Sequence, residues 1–340
     1  MVVTAPGALQ PILARLTLGA ELSEAEAEQL FEAIIEGAAT PAQIGAILMG
    51  LAARGETTEE LTAAVRVMRN HLIPIAGVDD AIDCCGTGGD GHGTLNISTA
   101  VAFIVAACGV PVAKHGNRAA SSRSGAADVL GALGIGVATP AQAEAMLKTH
   151  GLTFMFAPNH HPAMRAVGGL RRELGFRTLF NLAGPLSNPA GTKRQLVGVY
   201  DPRWLMPVAE ALQRLGSEAA WVVHGSDGLD ELTITGASDV AILVDGAIER
   251  RTITPEQFGL RRSALADIQG GEPAENAAAL TRLLDGEQGP YRDIVLLNAA
   301  AAFIVAGKAA DIPAGMTLAA GALDDGRARA LLTAMTEHAP

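Results

Sequence analysis

The sequence has little cysteine: only Cys84, Cys85 and Cys108 occur among its 340 residues. Vicinal cysteines do not readily bridge one another, and an odd number gives no disulfide framework. Neither C-x-x-C nor H-E-x-x-H is present, so zinc is not expected, and the three thiols read as small apolar residues. Long apolar runs are lacking too, although the mean hydropathy is +0.26. The longest, 100–113, is interrupted by Gly109 and Pro111 and falls short of the roughly 20 residues that a membrane-spanning helix needs. The N-terminal residues carry no basic segment followed by an apolar one, so no signal peptide is expected. Basic charge is in deficit, 25 Lys and Arg against 36 Asp and Glu, for a net charge of −11. That argues against nucleic acid or an anionic membrane as the main partner. No internal repeat or low-complexity segment is seen.

What is present is a globular composition, 49% hydrophobic and 18% charged. The length suits about two domains, or one large domain with a lid, in a soluble cytoplasmic protein. Two basic clusters stand out against the acidic total. Lys114, Arg118 and Arg123 lie together with no acid among them, and Arg165, Arg171, Arg172 and Arg177 lie together with only Glu173. Such clusters suit a small anionic ligand.

The first 70 residues read as short helices. Ser23-x-x-Glu26, Thr40-x-x-Gln43 and Thr57-x-x-Glu60 are capping-box patterns, Pro41 suits a first helical position, and Gly37 and Gly55 suit helix ends. Leu30, Ile34 and Ile35, then Ile44, Ile47, Leu48 and Leu51, recur at helical spacing. The segment 71–77 reads as a linker. Beyond it, strands are expected at 81–85, 110–114, 152–156, 195–200 and 219–224, and a hairpin at 240–253 around Asp245-Gly246. Helices are expected at 99–108, from Thr139, at 161–174, at 203–215 and from Ala274 onward. Alternation of this kind implies an α/β domain with a largely parallel sheet.

Three loops after expected strands carry chemistry. Gly86-Thr87-Gly88-Gly89-Asp90-Gly91 matches the dinucleotide pattern G-x-G-x-x-G. The next helix, however, starts only at Ser98 or Thr99, and the next strand ends in Lys114 rather than an acid, so a nicotinamide-dependent dehydrogenase fails on both context checks. A longer loop that wraps a diphosphate fits better, its N–H groups forming an anion nest. Asn96, Ser98 and Thr99 are then expected to cap the helix while its N-terminus favours a phosphate. Helix-end attraction is only about 0.3–2 kcal/mol per anion, so metal and basic side chains must contribute. The second loop, Lys114-His115-Gly116-Asn117-Arg118-Ala119-Ala120-Ser121-Ser122, supplies cations and hydroxyls. The third, Asp227-Gly228-Leu229-Asp230-Glu231, supplies hard oxygen ligands of the kind that suit Mg²⁺. Each alone is also an ordinary surface turn; loops leaving the carboxyl ends of parallel strands gather at one edge and can converge.

Gly86 to Asp90, Asn96-Ile97-Ser98-Thr99, Lys114 to Arg118, Arg171-Arg172-Glu173-Leu174-Gly175, Arg177-Thr178-Leu179-Phe180-Asn181 and Gly184 to Pro189 resemble the anthranilate phosphoribosyltransferases. So does Asp230-Glu231 in its Gly-Leu-Asp-Glu-Leu setting. The motifs occur in the family's order over nearly the whole chain. The resemblance implies an α/β fold with a small N-terminal helical subdomain, 1–72, joined by helices around 161–190, and an α/β domain, 78–340, like that of nucleoside phosphorylases. It implies transfer of the phosphoribosyl group of phosphoribosyl pyrophosphate to anthranilate with Mg²⁺, two ions, in a homodimer formed through the helical subdomain. Phosphoribosyl pyrophosphate would be held by Gly86, Gly89, Asp90, Thr94, Asn96, Ile97, Ser98, Thr99, the loop Lys114 to Ser122 including Ala119, Ala120 and Ser121, and Ala126. Anthranilate would meet Gly86, Asn117 and Arg172, or Arg171 beside it. Ser98, Asp230 and Glu231 would serve the metal, His115 is a candidate proton acceptor, and His161 and Met164 fall where the acceptor channel runs. A pyrimidine nucleoside phosphorylase and a nucleic-acid-binding relative of the same fold are the alternatives.

Overall fold

The expected capping boxes form. Ser23, Thr40 and Thr57 each accept from the amide three residues on, and Glu26, Gln43 and Glu60 reach back. The computed structural model describes residues 9–76, 78–118 and 123–337. Its first four helices are α1 (Gln10–Thr17), α2 (Glu24–Ile35), α3 (Pro41–Arg54) and α4 (Thr58–Asn70). An irregular stretch then leads to β1 (Ile82–Gly86), α5 (Ile97–Ala107), β2 (Val112–Gly116), α6 (Ala126–Ala132), α7 (Pro140–His150) and β3 (Leu152–Phe156). The short α8 (Ala157–His160), then α9 (Met164–Leu174) and α10 (Leu179–Leu186) precede β4 (Arg194–Gly198), α11 (Leu205–Arg214) and β5 (Ala219–Gly225). β6 (Ser238–Val244) and β7 (Ala247–Ile253) form the expected hairpin, and α12 (Pro273–Leu284), α13 (Pro290–Val305), α14 (Ile312–Asp324) and α15 (Arg327–Glu337) close the chain. The turn between β6 and β7 uses left-handed backbone at Asp245 and Gly246, φ 50° and 72°, as two-residue hairpins require.

The seven-stranded sheet has the order β3-β2-β1-β4-β5-β6-β7, parallel from β3 to β5 and antiparallel at β6 and β7. Its two faces read off the strands with period two. Cys84, Leu196, Trp221, Val223, Val240 and Ile242 pack on one side against α5 and the C-terminal helices. Cys85, Val197, Val199, Ala220, Val222, Ala241 and Leu243 pack on the other, in one apolar cluster with α1 to α4, α9, α10 and α11. Helix α5 is buried all round, with Phe103, Ile104 and Val105 at 0% exposure; each such side chain contributes about 1.5–3 kcal/mol. No helix among the described residues is long and apolar enough to cross a membrane.

The sequence expectation is corrected at two helices. α5 begins at Ile97, so Ser98 and Thr99 lie inside its first turn, and its N-cap Asn96 makes no side-chain cap bond. The helix expected over 161–174 starts only at Met164 as α9, after the short α8 and a break at Pro162, which has no N–H to give. Helix α10, with Pro185 inside it, falls in the 161–190 stretch where the resemblance implies joining helices.

Candidate active site

The crossovers leave β1 toward β2 on one side and β4 toward β5 on the other, so the strand order switches direction between β1 and β4. In parallel sheets the crevice beyond the carboxyl ends at such a point collects ligands. Here β1 ends in Gly86 and β4 in Gly198, paired with one another, and Asp230 lies across both. A Cβ on Gly86 would stand 2.2 Å from Asp230 Oδ2, and one on Gly198 only 1.5 Å from the Asp230 carbonyl oxygen. Gly88 N–H donates to Asp230 Oδ2 at 2.7 Å. Thr87 N–H donates to the Gly198 carbonyl at 2.9 Å, and Tyr200 N–H to Thr87 Oγ1 at 3.1 Å. Glycine at 86 thus admits a carboxylate of the protein itself.

The loop that carries Asp230 and Glu231 is braced from within. Asp227 accepts from Leu229 N–H at 3.2 Å and from the hydroxyls of Thr233 and Thr235 at 2.6 Å each. Behind it, the buried Asn298 accepts from Leu232 N–H at 2.9 Å and donates to the Leu232 carbonyl at 2.8 Å. The Glu231 carboxylate meets the Ser98 backbone amide at the start of α5. Burial, then the neighbouring charge of Asp230, pushes the Glu231 carboxyl well above the usual carboxylate range, against the pull of Lys114. Burial, then the charge of Asp90, pushes Asp230 up to about 6. Lys114 Nζ donates to Ser98 Oγ at 3.1 Å and to the Cys84 carbonyl. Gly86, Asp90, Ser98, Lys114, Asp230 and Glu231 are therefore brought together, and Gly89 joins them through Arg177.

Other expected residues stand around this centre. Thr94 bridges Gln269. Asn96 Nδ2 donates to the Ser124 carbonyl at 3.3 Å, and Asn96 Oδ1 accepts from Asn276 at 2.8 Å, which explains why it does not cap α5. Ile97 and Thr99 point into the core at 2% and 1% exposure. Asn117 and Arg118 are exposed after β2, Arg118 paired with Asp128 at 3.1 Å. Ala126 opens α6, 3.4 Å from where a Cβ on Gly116 would lie. Ala119, Ala120, Ser121 and Ser122 lie outside the described residues.

Of the two adjacent arginines on α9, only Arg171 turns inward, donating to Asn181 Oδ1 at 3.0 Å beside the Phe180 ring. Arg172 is exposed, since successive residues of a helix point about 100° apart. His115 sits against His161, ring centroids 5.1 Å apart. Its Nδ1 donates to the Gly184 carbonyl at 3.2 Å, leaving a buried Nε2 without a partner. Burial, then the nearby His161 and His160, takes the His115 pKa down to about 3, so the ring is neutral.

Sequence reasoning missed Arg177, whose guanidinium lies 4.1 Å from the Tyr200 ring centroid and whose Nε would lie 3.3 Å from a Cβ on Gly89. It stood in the 177–181 motif and in the basic cluster suited to a small anion, without a role of its own. Asp83 and Asn298 were missed as well, and no local pattern marks them; Asn188 stood in the 184–189 motif without a role, and Asp227, expected to supply oxygen ligands, braces its own loop instead.

Residues 78–329 match the family described as glycosyl transferase family, a/b domain, and residues 10–72 its helical bundle domain. The anthranilate phosphoribosyltransferase of Methylocella silvestris is 57% identical over 97% of this chain and 95% of its own. That of Phenylobacterium zucineum is 57% identical over 97% and 98%. The crystal structure of the Thermus thermophilus anthranilate phosphoribosyltransferase is 44% identical, with a TM-score of 0.90 over 96% of this chain and 98% of that one. The Saccharomyces cerevisiae enzyme, solved in complex with PRPP and Mg, shares the fold at 24% identity, with a TM-score of 0.89 over 98% of each chain.

Proposed function

Since the chain belongs to the anthranilate phosphoribosyltransferase family, we propose that it transfers the 5-phosphoribosyl group of phosphoribosyl pyrophosphate to the amine of anthranilate. The products are N-(5-phosphoribosyl)anthranilate and pyrophosphate, the second step of tryptophan biosynthesis from chorismate. The observation that carries this reading is the convergence of the 86–91 loop, Ser98, Lys114 and the Asp230-Glu231 pair at the β1/β4 switch point.

The donor set fits Mg²⁺. Asp90, Asp230 and Glu231 crowd one edge, and burial, then the neighbouring negative charge, raises Asp230 and Glu231. A hard cation with carboxylate, hydroxyl and water ligands relieves such crowding. Ser98, Asp230 and Glu231 are the residues that would hold it. When bound, Mg²⁺ neutralises charge that develops on the departing pyrophosphate.

The protein's own groups do the rest. Amides of the glycine loop and Lys114 bind phosphate oxygens, which is preorganised electrostatic stabilisation. Arg172, or Arg171 beside it, orients anthranilate through its carboxylate by a charge-assisted bond, together with Asn117. An aryl amine is neutral near pH 7, so its lone pair attacks C1 of the ribose without a strong base as pyrophosphate leaves. His115, neutral and with Nε2 open, can accept the amine proton after attack. Holding amine and C1 in contact contributes up to roughly 7–11 kcal/mol.

We take the chain to act as a cytoplasmic homodimer joined through its helices, with 1–72 as the helical unit and 78–340 as the α/β unit. The test is anthranilate fluorescence followed with phosphoribosyl pyrophosphate and Mg²⁺, each omitted in turn. Loss of signal only when all three are present supports the reading. Turnover of thymidine with phosphate instead would overturn it.

A further inference from the structure

β1 is joined to its two neighbours in different ways. Against β4 it pairs residue for residue from Ile82↔Arg194 to Gly86↔Gly198. Against β2 the pairing ends at Ile82↔Val112, although β2 goes on pairing with β3 as far as Gly116↔Phe156. Beyond the first pair, side chains serve the groups that a β1–β2 ladder would have used. The Asp83 carboxylate accepts from His115 N–H at 3.1 Å and from Asn188 Nδ2 at 2.7 Å. Asn188 Nδ2 also donates to the Ala113 carbonyl at 2.8 Å, while Asn188 Oδ1 accepts from Ala190 N–H at 2.8 Å. Lys114 Nζ serves the Cys84 carbonyl.

The wedge is fully interior: Asp83 is 0% exposed, and Lys114 and Asn188 are 3% each. Buried polar groups of this kind cost more than an ordinary ladder unless every one is satisfied, and satisfied networks fix one geometry. Asp83 itself touches none of the residues assigned to metal, so it has no direct part in the chemistry. The strands it separates end in Gly86 and Gly116, where the two phosphate-binding loops begin.

We infer that Asp83 and Asn188 form a positioning pair that sets the spacing of β1 from β2, and so the aim of Lys114 and of the backbone after His115 at the phosphoribosyl pyrophosphate site. The inference rests on the phosphoribosyl-transfer reading. Burial pushes the Asp83 carboxyl up to about 6 against the pull of Lys114 and Asn188, as expected of a charge held at some cost for its geometry.

The test uses Asp83→Asn in the full chain, which keeps the volume but faces a donor toward Asn188. Amide hydrogen exchange at His115 is read beside steady-state kinetics. His115 exchange should rise, and the KM for phosphoribosyl pyrophosphate should rise by about tenfold, with that for anthranilate changed less than about twofold. Adding Asn188→Asp, which reverses the donor and acceptor across the pair, should recover part of the loss. Should Asp83→Asn prove too unstable, Asn188→Ala is expected to show the same split. Folded variants with a lowered melting temperature but both KM values unchanged would overturn the positioning role, as would unaltered His115 exchange. A parent protein that consumes no anthranilate would overturn the substrate half alone, because the exchange measurement does not depend on turnover.

Discussion

β1 meets β4 along a continuous backbone ladder closed by two glycines, and it meets β2 through a buried set of side chains. The first seam is tight because Asp230 lies directly on Gly86 and Gly198. The second is open because Asp83, Asn188 and Lys114 hold the strands apart. A tight seam is intolerant of added volume, whereas a wedged seam is intolerant of changed polarity. The acidic wall of the site stands on the first, and the cationic wall stands on the second.

The largest effect should come from volume at the tight seam. Gly198→Ala forces a methyl into the Asp230 backbone, so we expect a loss of about 3–5 kcal/mol in unfolding free energy and near-complete loss of turnover. Gly116→Ala at the end of β2 meets only Ala126 Cβ at 3.4 Å and should cost less than about 1 kcal/mol. Thermal and denaturant unfolding of the two variants side by side checks the contrast; equal losses would erase it.

Next come the charges on the acidic wall. Glu231→Gln and Asp230→Asn should each lower kcat/KM by about a hundredfold or more. In metal-free buffer both should melt higher than the parent, because each relieves a crowded carboxylate pair. A lower melting temperature with normal turnover would show that the pair is structural. A smaller effect is expected from Arg172→Ala, which should raise the KM for anthranilate by about tenfold. Arg171→Ala, which removes the bond to Asn181, should act on stability and leave that KM within about twofold.

A further effect, on acid stability, belongs to the wedged seam. His115 is depressed to about 3 chiefly by burial, and His161 to about 4, also by burial first. A neutral buried histidine favours the folded state above the unfolded pKa of about 6.5 and loses that advantage as pH falls toward the folded value. Each should contribute a slope approaching about 1.4 kcal/mol per pH unit below 6.5. Asp83 and Asp230, each raised to about 6, and Glu231, raised as well, work in the opposite direction, since their protonation on acidification favours the folded state. The histidine contribution is therefore read as a difference between parent and variant from about pH 6.5 to 4. Melting curves over that range should favour His161→Gln over the parent increasingly as pH falls; a difference that does not change with pH would contradict the assignment.

How far the sequence revealed all this depends on the range of the interaction. Capping boxes at Ser23, Thr40, Thr57 and Thr139 are local, and each forms with the partner three residues on. The expected strand at 152–156 and the hairpin about Asp245-Gly246 are also local, and they match β3 and the β6–β7 turn. The glycine loop and the Asp230-Glu231 pair are visible as motifs, but their mutual contact is not, because it joins residues 142 positions apart. Asn96 looks like a helix cap because nothing nearby in sequence announces Asn276 or Ser124 as competing partners. Asp83 reads as one residue of an apolar strand, and its role depends on Asn188, which lies in a distant loop. Spacing leaves open whether Arg171 or Arg172 faces inward, and the packing of α9 on the first helices decides it.

We place phosphoribosyl pyrophosphate together with Mg²⁺ at the β1/β4 switch point. Calorimetric titration of phosphoribosyl pyrophosphate into the full chain and into Glu231→Gln, with and without Mg²⁺, is the sharpest test. Binding by the parent should depend on Mg²⁺ and be weaker by about tenfold or more in the variant. Equal affinity with and without the metal, or parent-like affinity in Glu231→Gln, would contradict it.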